Sequence, residues 1–348
     1  MKKFFVISVV CAMAVCCFGC GIRQPERIQR TDTAMGTVIK QDVYTTEKNS
    51  TPTEEIQELL RSLEEEELSR RLETSDIWKV NEAAGREEGS ELSPELEQNL
   101  KKCLDVWEQS GGAFDITIGS VVDLWDIDDW VSGEREGTFA LPENELLQEA
   151  LGYSGSEKLR MNGKYLIMPE GMQIDLGAVG KGIALDTILE YLQEHEKITG
   201  ATIAVGGSVL TYGKKPDGSS WKVGIVNPRE TSYYVGILEV DGQWCISTSG
   251  DYERYVEVDG IRYHHIIDPD TGYPADSGVI SVTVLTKDGF LSDALSTACF
   301  ILGKDVGMKL AESYGAEVLF VEKDGTVSMT EGMREVCTLT SGEANKNQ

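Results

Sequence analysis

The chain has 348 residues, 41% of them hydrophobic and 26% charged, enough apolar material to bury a full core and too much to stay disordered. Acidic residues outnumber basic ones by 59 to 32, a net charge of -27, so the field of the whole molecule repels nucleic acid and anionic headgroups, and neither is an expected ligand. A phosphate group can be held only by local groups or by a metal ion. In chain order, Lys2 and Lys3 precede an apolar stretch at residues 4–18 that ends in Gly19 and Cys20. That stretch falls short of the roughly 20 apolar residues a bilayer span needs, and Arg23, Glu26 and Arg27 follow at once, so residues 1–19 read as a cleaved export signal. Residues 20–33 are polar and aperiodic, the composition of a tether.

Residues 54–71 place Ile56, Leu59, Leu60 and Leu63 at helical spacing against a glutamate-rich face, with 64–67 on the solvated side. A second helix is expected over Pro94–Gln109, with Ser93 as cap, Pro94 at the first helical position, and Leu96, Leu100, Leu104 and Trp107 inward. Beyond residue 200 the pattern turns to strands: Trp221, Val223 and Ile225 alternate, and Asp241-Gly242, Asp259-Gly260 and Asp324-Gly325 are hairpin-turn dipeptides between apolar runs. Helices and hairpins mix without regular βαβ alternation, so the fold class is α+β, one compact unit over residues 34–337, with room for two lobes, and a tail at 338–348. Of eight cysteines, Cys103, Cys245, Cys299 and Cys337 remain clear of the leader; their wide spacing, with no C-x-x-C pair, rules out a zinc or thioredoxin-type site, and they read as buried free thiols, with one or two disulfides the alternative in an exported protein.

Three segments carry chemistry. The first, Asp175-Leu176-Gly177-Ala178-Val179-Gly180-Lys181-Gly182, runs into a helical pattern. Its glycines let backbone N–H groups point at an anion and Lys181 adds a full charge, although a plain tight turn before a helix has the same composition. It is not a P-loop, because the glycine spacing differs and no Ser or Thr follows the lysine. The second runs Tyr263-His264-His265-Ile266-Ile267-Asp268-Pro269-Asp270-Thr271-Gly272, a strand and rigid turn whose alternation sends the two histidines to opposite faces. In the third, Ser292 is expected to cap a helix on which Asp293 and Thr297, four apart, share a face and present two hard oxygens. Such a pair suits Mg²⁺; an acidic first turn steadied by the helix dipole reads identically.

In this order the segments resemble the ApbE family of FAD:protein FMN transferases. The landmarks are Ala34-Met35-Gly36-Thr37, Gly111-Gly112-Ala113-Phe114-Asp115, the Asp175 to Gly182 loop, Thr248-Ser249-Gly250-Asp251-Tyr252, the histidine hairpin, and Asp293 to Thr297. The resemblance implies that Met35, Ala113, Phe114, Asp115, Asp175, Lys181 and Ile267 line an FAD site, and that the Ala178 carbonyl, Asp293 and Thr297 hold Mg²⁺. It implies transfer of the FMN moiety of FAD to a Thr or Ser hydroxyl of an acceptor protein, with a phosphodiester formed and AMP released. The acceptor would be a flavin-bearing subunit of a membrane redox complex. His265 is the expected catalytic base, its ordinary pKa lying near neutrality, with Asp268 to orient it. Water in place of the acceptor would make an FAD pyrophosphatase, and a site without turnover would make a flavin-storing lipoprotein. Ser75-Asp76, Ala204 and Ser208 depart from the family pattern, where Ser-Glu, Asn and Asp are usual. Gly19-Cys20 resembles a bacterial lipobox, which implies an extracytoplasmic protein anchored through lipidated Cys20.

Overall fold

The computed structural model describes residues 24–47 and 49–340; the expected export signal at residues 1–19, Cys20 and residues 341–348 fall outside them. Its frame is an eight-stranded sheet. In spatial order the strands are Glu26–Ala34, Thr37–Thr45, Ile198–Val205, Ser208–Gly213, Trp244–Gly250, Val279–Thr286, Glu317–Glu322 and Val327–Met329, and every pairing is antiparallel. One face is covered by the helices Gly180–Glu194 and Gly289–Leu302, whose Ala184, Ile188, Phe290, Ala294 and Ala298 share a core with Cys245, Val282 and Val284. The other face sets Ile246, Ile280, Leu285 and Leu319 against Trp221, Ile225 and Leu238 of a small sheet built from Trp221–Val226, Tyr234–Val240 and Cys337–Leu339. Neighbouring residues of one strand thus serve two cores, Cys245 one and Ile246 the other. With both faces covered, Val279–Thr286 is buried at all eight positions, which explains a strand made mostly of Val, Ile and Thr.

Two boundaries differ from the sequence expectation. Residues 26–33, assigned to the tether, lie within the strand Glu26–Ala34, paired along its whole length with Thr37–Thr45. It is the outer edge of the sheet, so alternate side chains face water and charge blunts the open edge, which makes the sequence look aperiodic. Arg27 meets both carboxylate oxygens of Asp42 at 2.8 Å across that pair. At the other end, Cys337–Leu339 pairs with Tyr234–Val240, so the folded unit extends past 337 into the expected tail.

The helix Pro94–Gln109 forms over the expected residues, because its signals are local: Ser93 Oγ accepts the Leu96 N–H and Pro94 opens the first turn. Its buried stripe is Leu96, Leu100, Cys103 and Val106, so Leu104 and Trp107 sit at the margin. The helix over residues 54–71 is instead Thr51–Ser62, running on into a π-helical stretch, Leu63–Leu68. Asp259-Gly260 joins Tyr255–Val258 to Ile261–His264 with both residues at positive φ (51° and 76°), as a type I′ turn requires. Asp324-Gly325 likewise closes a hairpin. Asp241-Gly242 does not: it links Tyr234–Val240 to Trp244–Gly250, which lie in different sheets. Cys103, Cys245, Cys299 and Cys337 are free thiols, the first three buried.

Candidate functional site

The two helices on the sheet meet at glycine. A Cβ on Gly182 would lie 2.4 Å from the Gly289 carbonyl oxygen and 2.8 Å from Asp293 Cβ, and one on Gly289 would lie 2.4 Å from the Gly182 carbonyl oxygen. No side chain fits at either place, so the backbones close up. Asp293 then reaches the neighbouring helix, where its Oδ2 accepts the Gly182 N–H at 3.0 Å and occupies one of the donors that every helix N-terminus leaves open. Only 2% of Asp293 is exposed; its Oδ1 stands 3.3 Å from Lys181 Nζ and accepts from Ser208 Oγ at 3.4 Å. One turn on, the Thr297 hydroxyl lies 3.3 Å from Ser249 Oγ. Ala178 stands in the turn that leads into Gly180–Glu194.

Ser292 is not the cap of its helix. Gly289–Leu302 begins three residues earlier, where Asp288 accepts the Leu291 N–H at 2.8 Å, and Ser292 Oγ donates to the Gly289 carbonyl inside the first turn. Around Asp293 the potential donors are all oxygen, and its Oδ1 has only long contacts, a set that fits a hard cation such as Mg²⁺ rather than zinc. Among the described residues no group of three His, Cys, Asp or Glu could hold a metal, so a main-chain carbonyl, a hydroxyl and water would have to complete any coordination here.

Met35 joins this corner from the first hairpin. It takes a left-handed conformation (φ 54°), its N–H donates to Glu64 Oε2 at 2.6 Å, and its Cε lies 3.7 Å from where a Cβ on Gly180 would be. Asp175 in the glycine loop is held by Arg70, whose Nε stands 3.0 Å from Oδ2, while Oδ1 accepts the Gly177 N–H at 2.7 Å. Asp115 knits loops together, accepting from the Thr117 N–H and hydroxyl and from the Ser156 N–H and hydroxyl. Ala113 is partly buried in the preceding turn. Phe114 and Ile267 are buried (2% and 3% exposed) with their side chains in apolar clusters, so these side chains serve the core.

The histidine hairpin is anchored by Trp125, which donates from Nε1 to the Gly272 carbonyl at 2.7 Å and packs on Tyr263 and Tyr273. His264, the last residue of its strand, is buried; its Nε2 pairs with the Ala275 carbonyl at 3.1 Å and its ring meets Phe300 edge-on. His265 lies just beyond, half-buried, with Nδ1 3.2 Å from the Arg254 carbonyl oxygen. Burial, then the positive charges of Arg254 and Lys181, hold its imidazole well below the ordinary histidine range, so it is neutral at pH 7. A carbonyl only accepts, so Nδ1 carries the proton and Nε2 the lone pair. Asp268 does not orient this ring: its Oδ1 accepts the Asp270 N–H and its backbone closes the turn with Gly272 and Tyr273. The tight turn that made the segment recognisable uses that carboxylate.

Several site residues left no clear trace in the sequence. Glu64, within the glutamate run assigned to solvent, holds Met35 from 29 positions away. Arg70 restrains Asp175, and Arg254 restrains His265 through its carbonyl. Glu253 approaches Gly207, and burial, strengthened by Asp293 and opposed by Lys181 and Arg254, pushes its carboxyl up. Ser208 had a signal, as a departure from the usual Asp, and it proves to touch Asp293.

Comparison with known proteins bears on this arrangement. The pattern of the ApbE family matches residues 35–320. The FAD:protein FMN transferase of Vibrio cholerae is 32% identical over 270 residues, 76% of this chain and 78% of its own length, and that of Treponema pallidum is 29% identical over 94% of this chain and 92% of its own. Among solved structures, the flavin transferase ApbE from Vibrio cholerae superposes with a TM-score of 0.79 at 28% identity, covering 90% of this chain and 99% of that one. The ApbE protein of Thermotoga maritima gives 0.79 at 30%, covering 89% and 99%. With the match spanning both helices, the histidine hairpin and the Asp293 corner, the chain belongs to the ApbE family.

Proposed function

We infer that this chain, an FAD:protein FMN transferase by its kinship, moves the FMN moiety of FAD to a Thr or Ser hydroxyl of an acceptor protein in a Mg²⁺-dependent reaction that releases AMP. The observation that carries the reading is the meeting of Lys181 with Asp293 at the first turn of Gly180–Glu194. In a molecule of net charge -27, the pyrophosphate of FAD needs local positive charge, which Lys181 and the helix N-terminus supply. Asp293, the Thr297 hydroxyl and the Ala178 carbonyl would hold Mg²⁺, which when bound neutralises phosphate charge and polarises the phosphorus. Met35, Ala113, Asp115, Asp175 and Lys181, with the main chain of Phe114 and Ile267, are the proposed FAD contacts.

His265 Nε2 is the proposed proton acceptor, its tautomer set by the Arg254 carbonyl. The acceptor oxygen bonds to the flavin-side phosphorus, the bond from that phosphorus to the bridging oxygen breaks, AMP leaves with that oxygen, and the hydroxyl proton passes to His265. Membranes from a source strain lacking this chain supply unmodified acceptor, and covalent flavin is read as fluorescence on denaturing gels. Asp293→Asn keeps an acceptor for the Gly182 N–H but loses the charge, and should cut Mg²⁺-dependent transfer by about 100-fold or more. Unchanged transfer in that variant would leave Asp293 as a tie between helices only.

We also propose that the chain is exported and anchored through lipid on Cys20, with a flavin-bearing subunit of a membrane redox complex as acceptor. Six residues then span from Cys20 to the first strand at Glu26, which keeps the sheet edge within about 20 Å of the lipid. Cys20→Ser should lose detergent-phase partitioning; a processed, detergent-phase variant would refute the anchor.

A further inference from the structure

Asp123, Asp128 and Asp129 lie between two arginine-bearing segments that pair with them. Arg70, which holds Asp175 at 3.0 Å, also pairs with Asp123, and Arg71 pairs with Asp129. On the other side, Arg254 Nη1 is held by both oxygens of Asp128, at 2.8 and 2.9 Å. Arg254 precedes the strand Tyr255–Val258, and its carbonyl accepts both the backbone N–H (3.1 Å) and the Nδ1–H (3.2 Å) of His265. One residue therefore carries the clamp at its guanidinium and the histidine at its carbonyl.

We propose that Asp128 is a positioning residue for His265: by fixing the Arg254 side chain on the helix Ile127–Ser132, it fixes the carbonyl that sets the orientation and tautomer of the imidazole. The inference rests on His265 being the proton acceptor. Both side chains are substantially exposed (38% for Arg254 and 41% for Asp128), and exposed ion pairs add little to stability. Geometry at a proton acceptor is far less forgiving, since displacements of about 1 Å cost on the order of 100-fold in rate.

The test is a double-mutant cycle on the full mature chain, with flavin-free membranes as acceptor and FAD and Mg²⁺ saturating. Asp128→Ala and the isosteric Asp128→Asn should slow FMN transfer about 10- to 100-fold, with FAD affinity and urea midpoint unchanged. Asp128→Glu, which can still grip the guanidinium, should recover most of the rate. In the His265→Ala background, Asp128→Ala should cost nothing further, because the group it positions is gone. Wild-type rates in both Asp128→Ala and Asp128→Asn, or losses that multiply with that of His265→Ala, would overturn the positioning role. A wild-type rate in His265→Ala alone would bring down the proton-acceptor assignment and this role with it.

Discussion

Gly180 and Gly182 stand two residues apart in the first turn of one helix, and alanine at the two positions should have opposite effects. In either place alanine gains up to about 1 kcal/mol of helix propensity over glycine. At Gly180 the new Cβ would meet Met35 Cε at 3.7 Å and Leu68 Cδ1 at 3.9 Å, ordinary contacts, so Gly180→Ala should be neutral or slightly stabilising. At Gly182 it would meet the Gly289 carbonyl oxygen at 2.4 Å and Asp293 Cβ at 2.8 Å, and the former is backbone that cannot swing aside. Separating the helices costs about 1–3 kcal/mol as overpacking. Breaking the Gly182 N–H to Asp293 bond costs about a further 1.5–3 kcal/mol, the worth of a hydrogen bond to a charged group. Net of the propensity gain, Gly182→Ala should lose about 1.5–5 kcal/mol. Because the displaced group is Asp293, FMN transfer should fall by about 100-fold as well. Urea melts of the two variants, with gel fluorescence of transferred flavin, decide it. Equal midpoints and equal transfer rates would show that the helix contact is slack and does not hold Asp293 in place.

His265→Ala should bind FAD normally yet transfer FMN about 100-fold or more slowly. His264→Ala should keep most of the rate but lose about 2–4 kcal/mol in urea melts, since His264 is buried, bonded to the Ala275 carbonyl and packed on Phe300; equal rate losses in the two variants would refute the division of roles. Because His265 is held well below the ordinary histidine value, the acid limb of kcat/KM for FAD should lie below pH 6.5, and a limb at or above 6.5 would show that the free enzyme carries a protonated His265 at mildly acid pH. Both histidines have depressed folded values, so below about pH 6.5 the unfolded chain binds protons that the fold refuses. Stability should therefore drop as pH falls from 6.5 toward the depressed values, with no contribution from either ring above that range. Burial pushes the Cys299 thiol up to about 12 and raises Cys103 and Cys245 as well, so a thiol reagent on native protein at pH 8 should modify Cys337 first; prompt labelling of Cys299 would mean that the core opens readily.

Features written in neighbouring residues were legible before any coordinates: the Ser93 and Pro94 start of a helix, the Asp259-Gly260 hairpin, the alternation of Trp221, Val223 and Ile225, and the order of short motifs that resembles one family. Each is a short-range signal in which cap, turn or side-chain period selects the backbone directly. Glu26–Ala34 was not legible as a strand, because an edge strand is made by its partner's hydrogen bonds and its own side chains mostly face water. Asp115, Phe114 and Ile267 carried motif positions, yet tertiary packing turned the two apolar side chains inward and bound the carboxylate within the fold. The tie from Asp293 to Gly182 spans 111 positions and that from Glu64 to Met35 spans 29, separations that leave no period in a sequence. Which nitrogen of His265 holds the proton, and that Arg254 rather than Asp268 sets it, follows from where a carbonyl oxygen lies; only the folded chain brings that oxygen to the ring.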